Sequence, residues 1–531
     1  MTFFLGDGVA TTRGDKWFTL RRLSNHAFHA ECLKGMIPAI IASVEMMLER
    51  WKYRDSKEID AFQEFKMNMI INEALRLYPP VVNVPRQVQR QSDWIGLWTM
   101  AVNLLLVGMN FLMWYGARAQ LVVTEPELVK EILNSKEKTY CKIGFQEYFK
   151  KLLGDGLVLS TGNKWLKMRK LANHAFHGES LKSMFPAMVA SVEMMLKRWG
   201  HHEGKQIDVF QEFKVLTSEI ISRTAFGSSY LEGEKIFDML KKMTFIIARN
   251  HYKVRIPGIK SFLKTKDDVE FDKLQEEIRD TIINMAYNEA DKNKKISIDD
   301  MIDECKNFYV AGQETTASSL TWTILLLAIH TDWQDKARKE VLELFGQQNP
   351  TVDGVARLKT VSMIINESLR LYPPVSLTRE VQKEVRLGKL TIPAKTETHI
   401  PTLALHTDHQ IWGEDALHFK PERFEEGIAK ATNNNISSFL PFGLGARTCV
   451  GLSFAIKEKK IALSMILQHF RFILSPTYVH SPVQILTMCP QHGVRSFLRH
   501  CKPEIIIRNL LFMQCFLPFS SSFSPFCYII S

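Results

Sequence analysis

Paired cysteines are what this 531-residue chain most plainly lacks. Cys32, Cys141, Cys305, Cys449, Cys489, Cys501, Cys515 and Cys527 stand apart, without C-x-x-C or framework spacing. That excludes a disulfide-stapled scaffold and a cysteine zinc site, and it places the soluble part in a reducing compartment. A basic arm is missing as well. The net charge is +11, from 68 Lys and Arg against 57 Asp and Glu, but no block of it is long enough to grip nucleic acid. The excess is read as facing a partner or a membrane. The opening Met1–Asp7 is no signal peptide, because its apolar run is short and ends on an acid. No single unit recurs several times, which excludes a solenoid. What the chain does have is apolar content of 46%, ample for a large core.

A repeat of another kind is present. Gly6 to Lys66 aligns without a gap on Gly154 to Lys214, with Trp17 on Trp165 and Phe62-Gln63-Glu64-Phe65 on Phe210-Gln211-Glu212-Phe213. The register then jumps, and Met69 to Pro80 matches Met363 to Pro374. Residues 1–90 are therefore a truncated partial duplicate with no catalytic role. Residues 91–109 form an apolar linker or membrane segment, 110–493 the main domain, and 494–531 an unmatched apolar tail. Residues 94–117 carry no charge and are long enough to span a bilayer, with Trp and Tyr at both ends. The competing expectation is two strands, Phe111 to Tyr115 and Gln120 to Thr124, leading to a helix that opens at Glu125-Pro126.

Chemistry concentrates in four places. Pro441 to Gly451 is a Gly-punctuated loop at the mouth of an apolar helix running from Leu452 to Phe470. Backbone N–H groups, the helix N-terminus and nearby Arg447 all favour Cys449 as thiolate. Gly445 and Gly451 allow tight turning and close approach to a flat ligand, Phe442 can shield the sulfur, and Arg447 can reach an anionic edge. A buried structural cysteine is the plainer alternative. Trp165 and Arg169 lie four apart on one helix face. Asn307 to Thr331 is a long apolar helix interrupted by Ala311-Gly312-Gln313-Glu314-Thr315-Thr316, where a glycine, an acid and two hydroxyls are costly unless they face a groove. Glu367 and Arg370 are spaced for an intrahelical ion pair, and Arg423 follows in Phe419-Lys420-Pro421-Glu422-Arg423-Phe424.

Together, F-x-x-G-x-R-x-C-x-G, W-x-x-x-R, A-G-x-E-T-T, E-x-x-R and P-E-R-F resemble, in order, the landmarks of the cytochrome P-450 family. The resemblance implies a mainly α fold with small β-sheets, the triangular-prism cytochrome P-450 domain. It implies haem b as cofactor, with Cys449 as the iron ligand whose thiolate pushes electron density toward O–O cleavage. Trp165, Arg169, Arg379 and Arg447 would serve the haem propionates, and Phe442 and Gly451 the ligand loop. Ala311 and Gly312 would leave room for dioxygen. Thr315 would hydrogen-bond the iron–oxygen group, and Glu314 would relay protons through water. Glu367, Arg370 and Arg423 would form a buried cluster locking the loop that leads to the cysteine.

The implied activity is mono-oxygenation of a hydrophobic small molecule, a terpenoid, hormone-like compound or other lipid. Asn173 to His177 and Ala311 to Thr316 are most similar to plant microsomal members. Electrons would come from NADPH–cytochrome reductase, docking against Lys164, Lys167, Lys170, Lys457, Lys459 and Lys460. The expected state is a monomer at the endoplasmic reticulum membrane, its catalytic domain toward the cytosol, although the usual N-terminal anchor is absent. Two alternatives stay open: an inactive haem-binding remnant, and a haem-thiolate isomerase or dehydratase. The stretch Lys260 to Lys295 is expected to be too short for the family's two helices and variable loop.

Overall fold

The computed structural model describes residues 110–500, apart from 116–117, 136–138, 144–146, 203, 227–229, 251–264 and 288–296. The duplicated head, the linker before residue 110 and the tail after residue 500 lie outside the described residues.

Apolar alternation gives the first two elements, β1 (Asn110–Tyr115) and β2 (Arg118–Val123), an antiparallel pair. Helix α1 (Pro126–Asn134) follows with Pro at its first turn, where a missing N–H costs nothing. A strand thus takes the C-terminal part of the uncharged run 94–117, so that run is not one continuous transmembrane helix. Among the described residues, no helix is long and apolar enough to cross a membrane.

The helical body follows as α2 (Glu147–Leu153), α3 (Gly162–Ala175), α4 (Gly178–Gly200), α5 (Val209–Phe226), α6 (Tyr230–Asn250) and α7 (Lys266–Tyr287). Between Lys260 and Lys295 the described residues hold that one helix, α7. Next come α8 (Ile298–Ile329), α9 (Thr331–Phe345), α10 (Thr360–Leu371), α11 (Thr402–His406) and α12 (Leu452–His469). Helix α8 starts nine residues before the expected Asn307, because Ser297 caps it by accepting the Asp300 N–H.

The apolar stripes of α4, α5, α8, α10 and α12 meet in one large core, with Met188, Val192, Met195, Phe213, Leu320, Ile364 and Ile461 essentially solvent-free. Met188 and Met195 are core, while Met194 on the same helix is exposed. A second cluster lies under the main sheet and contains Val123, Ile132, Val381 and Ile400. That sheet has the order β1-β2-β8-β5-β3, with β3 at Tyr140–Cys141, β5 at Leu377–Val381 and β8 at Glu397–Ile400; the separate hairpin of β6 (Val385–Leu387) and β7 (Leu390–Ile392) lies between the last two in the chain. Only the β2–β8 contact in the main sheet is parallel.

After α12, β10 (Pro482–Gln484) pairs antiparallel with β11 (Met488–Pro490). Beyond that pair, β12 (Arg495–His500) pairs with both β9 (Phe470–Leu474) and β4 (Gln206–Asp208). The packed domain therefore includes Arg495–His500, past the expected boundary at 493.

Candidate active site

Two positive-φ glycines shape the cysteine loop. Gly443 and Gly445 take φ of 72° and 76°, a region side chains avoid. A Cβ on Gly445 would also fall 2.3 Å from the Leu133 carbonyl oxygen, so the loop can lie against α1 only with glycine there. The Cys449 N–H donates to the Phe442 carbonyl (2.9 Å) and closes the loop. Gly451 serves differently from expectation. Its φ is −86° and a Cβ would meet Cys449 Sγ at an ordinary 3.9 Å; its contribution is an N–H donated to the sulfur.

Cys449 lines a cavity of about 330 Å³ with Arg169, Asn173, Phe176, Ser453 and Lys457 among its neighbours. Burial pushes its thiol up; the Gly451 N–H and the Arg169 charge oppose that only in part. The Gly451 N–H and the Arg169 charge are the groups that favour the anion. A metal bound to the sulfur would displace the proton outright. The arginine acting on the sulfur is Arg169, not Arg447.

Three arginines gather beside the loop. Arg169 Nη1 donates to the Thr448 carbonyl at 2.5 Å, and among the described residues it has no carboxylate partner. Arg447 lies over the Trp165 ring at 4.1 Å and donates from Nη2 to the Ser160 carbonyl at 3.0 Å. Trp165 is thus a platform for Arg447, a contact that the four-residue spacing with Arg169 did not reveal. Arg379, buried on β5, donates to its neighbour Thr378 (2.9 Å) and shares a crevice with Arg447, Thr161 and Cys141.

On α8 every residue from Thr316 to Ala328 is buried, yet Ala311 is exposed and Gly312 to Thr315 are half-buried. The helix is uncovered in the middle of the molecule. The Thr315 hydroxyl donates to the Ala311 carbonyl at 2.7 Å, which leaves its oxygen free to accept. Glu314 faces Lys214 of α5, with Oε2 3.7 Å from Nζ. Gly312 lets the two helices pack closely, since a Cβ there would sit 2.4 Å from Ile221 Cδ1 of α5. Gln313 completes the seam, donating to Ser218 Oγ (2.7 Å) while its carbonyl accepts from Thr217 (3.2 Å). The residues Ala311 to Thr316 do not line the cavity that Cys449 shares with Arg169.

The ion cluster is fully enclosed. Arg370 meets Glu367 through two 2.7 Å bonds, and both side chains have no exposure. The remaining Arg370 donors go to the carbonyls of His406 (2.7 Å), Ala416 (2.6 Å) and His418 (3.2 Å). Arg423 lies 3.6 Å from Glu367 and donates to the Trp412 and Asp415 carbonyls. Asp415, paired with Arg423 and Lys420, is held down to about 2.

Several working residues escaped the motif reading. His406 is fully buried; its Nε2 accepts the Leu440 N–H at 2.8 Å while Nδ1 meets the Arg370 carbonyl at 3.2 Å. It ties the ion cluster to the strand of chain that enters the cysteine loop, and burial beside Arg370 brings it down to about 3, so it is neutral. Asp303, Glu304 and Asn307 on α8 accept the N–H groups of Asp155 (2.8 Å), Leu157 (2.7 Å) and Val158 (3.1 Å), strapping the segment before α3 in place. Burial lifts Glu304 to about 7. The expected lysine face is also reduced. Lys459 is buried, Lys460 donates to the Val355 carbonyl at 3.1 Å, and Lys164 bridges Asp155 and Asp300 at 3.0 Å each. Lys167 and Lys170 remain exposed, and Lys457 lines the Cys449 cavity.

Residues 106–492 match the family described as Cytochrome P450. Cytochrome P450 CYP749A22 of Panax ginseng is 59% identical over 424 residues, covering 75% of this chain and 81% of that protein. An 11-oxo-beta-amyrin 30-oxidase of Glycyrrhiza uralensis and secologanin synthase 1 of Catharanthus roseus are each 42% identical. They cover 74% and 73% of this chain, and 80% of their own lengths. The crystal structure of the cytochrome P450DA heme domain superposes with a TM-score of 0.68 at 21% identity, over 79% of this chain and 97% of that one.

Proposed function

The chain belongs to the cytochrome P450 family, and we propose that Cys449 is the iron ligand through which it oxidises a terpenoid. At the level of class it is a haem-thiolate mono-oxygenase of hydrophobic small molecules, with haem b as cofactor, dioxygen as co-substrate and an external redox partner. An inactive remnant is not favoured.

The residues present fit haem b. A soft sulfur faces a cavity with one N–H donor and a cation beside it. Arg169, Arg379 and Arg447, oriented by carbonyls and by Trp165, suit two anionic side chains on one edge of a flat ligand. Ala311 to Thr315 leave one stretch of α8 partly uncovered, with a few polar atoms among apolar ones, as a ligand surface requires. When bound, the group supplies activation of dioxygen by thiolate-ligated iron for insertion of oxygen into a C–H bond.

The chain supplies position and protons. Cys449 is set by the Gly443–Gly445 turn and by the Glu367–Arg370–His406 frame behind it. Its sulfur, once deprotonated, accepts the Gly451 N–H and feels the Arg169 charge. Thr315 Oγ, already committed as donor to Ala311, accepts a hydrogen bond without rearranging. Glu314, held by Lys214, is the carboxylate that takes and delivers protons next to it. The terpenoid assignment rests on the names of the amyrin oxidase and secologanin synthase. NADPH–cytochrome reductase as electron donor and attachment to the endoplasmic reticulum membrane belong to the same proposal, on the family resemblance alone.

The observation that carries this reading is the Cys449 sulfur facing a cavity that it shares with Arg169, which has no carboxylate partner among the described residues. The test is the reduced carbon-monoxide spectrum of the full chain. Wild type is expected to show the red-shifted thiolate band, and Cys449→Ser to lose it entirely; an unchanged band in the variant refutes the ligand. Incubation with NADPH, reductase and triterpenoid or monoterpenoid substrates then checks the substrate class.

A further inference from the structure

Lys459 stands 1% exposed in the core of α12, ten residues past the cysteine, with its Nζ donating to Ser319 Oγ of α8 at 2.7 Å. Its neighbour Glu458 is completely buried, and neither of its carboxylate oxygens has a hydrogen-bond partner. Ser319 lies one helical turn beyond Thr315 on α8, so the two share a face. The same serine is held from the other side: Thr323 Oγ1 donates to the Ser319 carbonyl (2.8 Å) and meets Ser368 of α10 (2.9 Å).

A buried ammonium with one hydroxyl partner is a poor way to stabilise a core. A methionine of similar length would fill the same space without desolvating a charge. What the ammonium adds is direction, since its bond fixes both the spacing of α12 from α8 and the rotation of α8 about its axis. We propose that Lys459 is a positioning residue, pinning the helix behind Cys449 to the helix carrying Glu314 and Thr315 and so setting how those two present themselves to the thiolate side. The inference rests on the haem-thiolate reading above.

The test uses the full chain loaded with haem, as wild type, Lys459→Met, Ser319→Ala and the double variant. The carbon-monoxide spectrum of wild type is read first; if the thiolate band is missing there, the haem-thiolate reading itself fails, before the variants are compared. With the band present, product formed per NADPH is expected to fall on the order of tenfold in Lys459→Met, the scale of a small misplacement of reacting groups. Ser319→Ala should fall alike, and the double variant no further than either single one.

Melting gives the second readout. Lys459→Met removes a desolvated charge and keeps the side-chain length, so it should melt no lower than wild type near neutral pH. A Lys459→Met protein that melts lower with unchanged product per NADPH overturns the proposal, as do losses that add independently in the double variant.

Discussion

The Glu367–Arg370 cluster and the Ala311–Thr315 patch are both polar islands in apolar helices, and they are built in opposite ways. In the first, every strong donor of Arg370 is matched and solvent is absent. In the second, a carboxylate at 3.7 Å from its cation and a hydroxyl bonded to its own helix stand half-exposed inside the molecule. A saturated network specifies geometry because any displacement breaks several bonds at once. A loosely partnered one retains capacity to bind and to exchange protons. The first holds the cysteine loop still through His406, and the second supplies groups that must respond to a ligand.

Three changes would break or sharpen that contrast. The largest effect belongs to Glu367→Gln. It leaves the fully buried Arg370 charge without its carboxylate, and about 3–5 kcal/mol of stability should be lost. Denaturant melting and the fraction of chains retaining haem measure it; a variant that melts like wild type would show that the cluster does not hold the loop. Thr315→Ala should leave melting and the thiolate band in place but divert electrons to peroxide. Product per NADPH is expected to drop up to about a hundredfold, within the range of a lost proton-transfer group. Unaltered coupling would remove Thr315 from the chemistry.

The smallest effect tests the strap on α8. Burial raises Glu304 to about 7 from its ordinary 4.5, so its contribution to stability is full below about 4.5 and is lost as pH rises through 7. Glu304→Gln keeps an acceptor for the Leu157 N–H and removes the charge. Its melting temperature should exceed that of wild type by about 1–2 °C near pH 8 and match it near pH 4.5. A difference that is the same at both ends of that range would rule out titration of Glu304.

Local order along the chain carried much of this. Glu367 with Arg370 follows from three-residue spacing on a helix. The Gly445 turn follows from its place in the loop, and the strand reading of Phe111 to Tyr115 from the Glu125-Pro126 helix start behind it. The shape and handedness of such elements depend on neighbours within a turn or two, which a sequence displays directly.

Contacts between distant segments were another matter. Arg169 rather than Arg447 acts on the sulfur, Gly312 spares room for Ile221, Trp165 carries Arg447, and Lys459 is a core residue reaching Ser319 rather than part of a docking face. Each is settled by how two helices approach across many tens of residues. Burial then sets the rest: the carboxyl of Glu304 rises because protein surrounds it, and no spacing rule contains that information. The sequence by itself determined which chemical groups the protein owns and in what order. The tertiary structure decided which of them meet, because partner choice and desolvation exist only once the chain has packed.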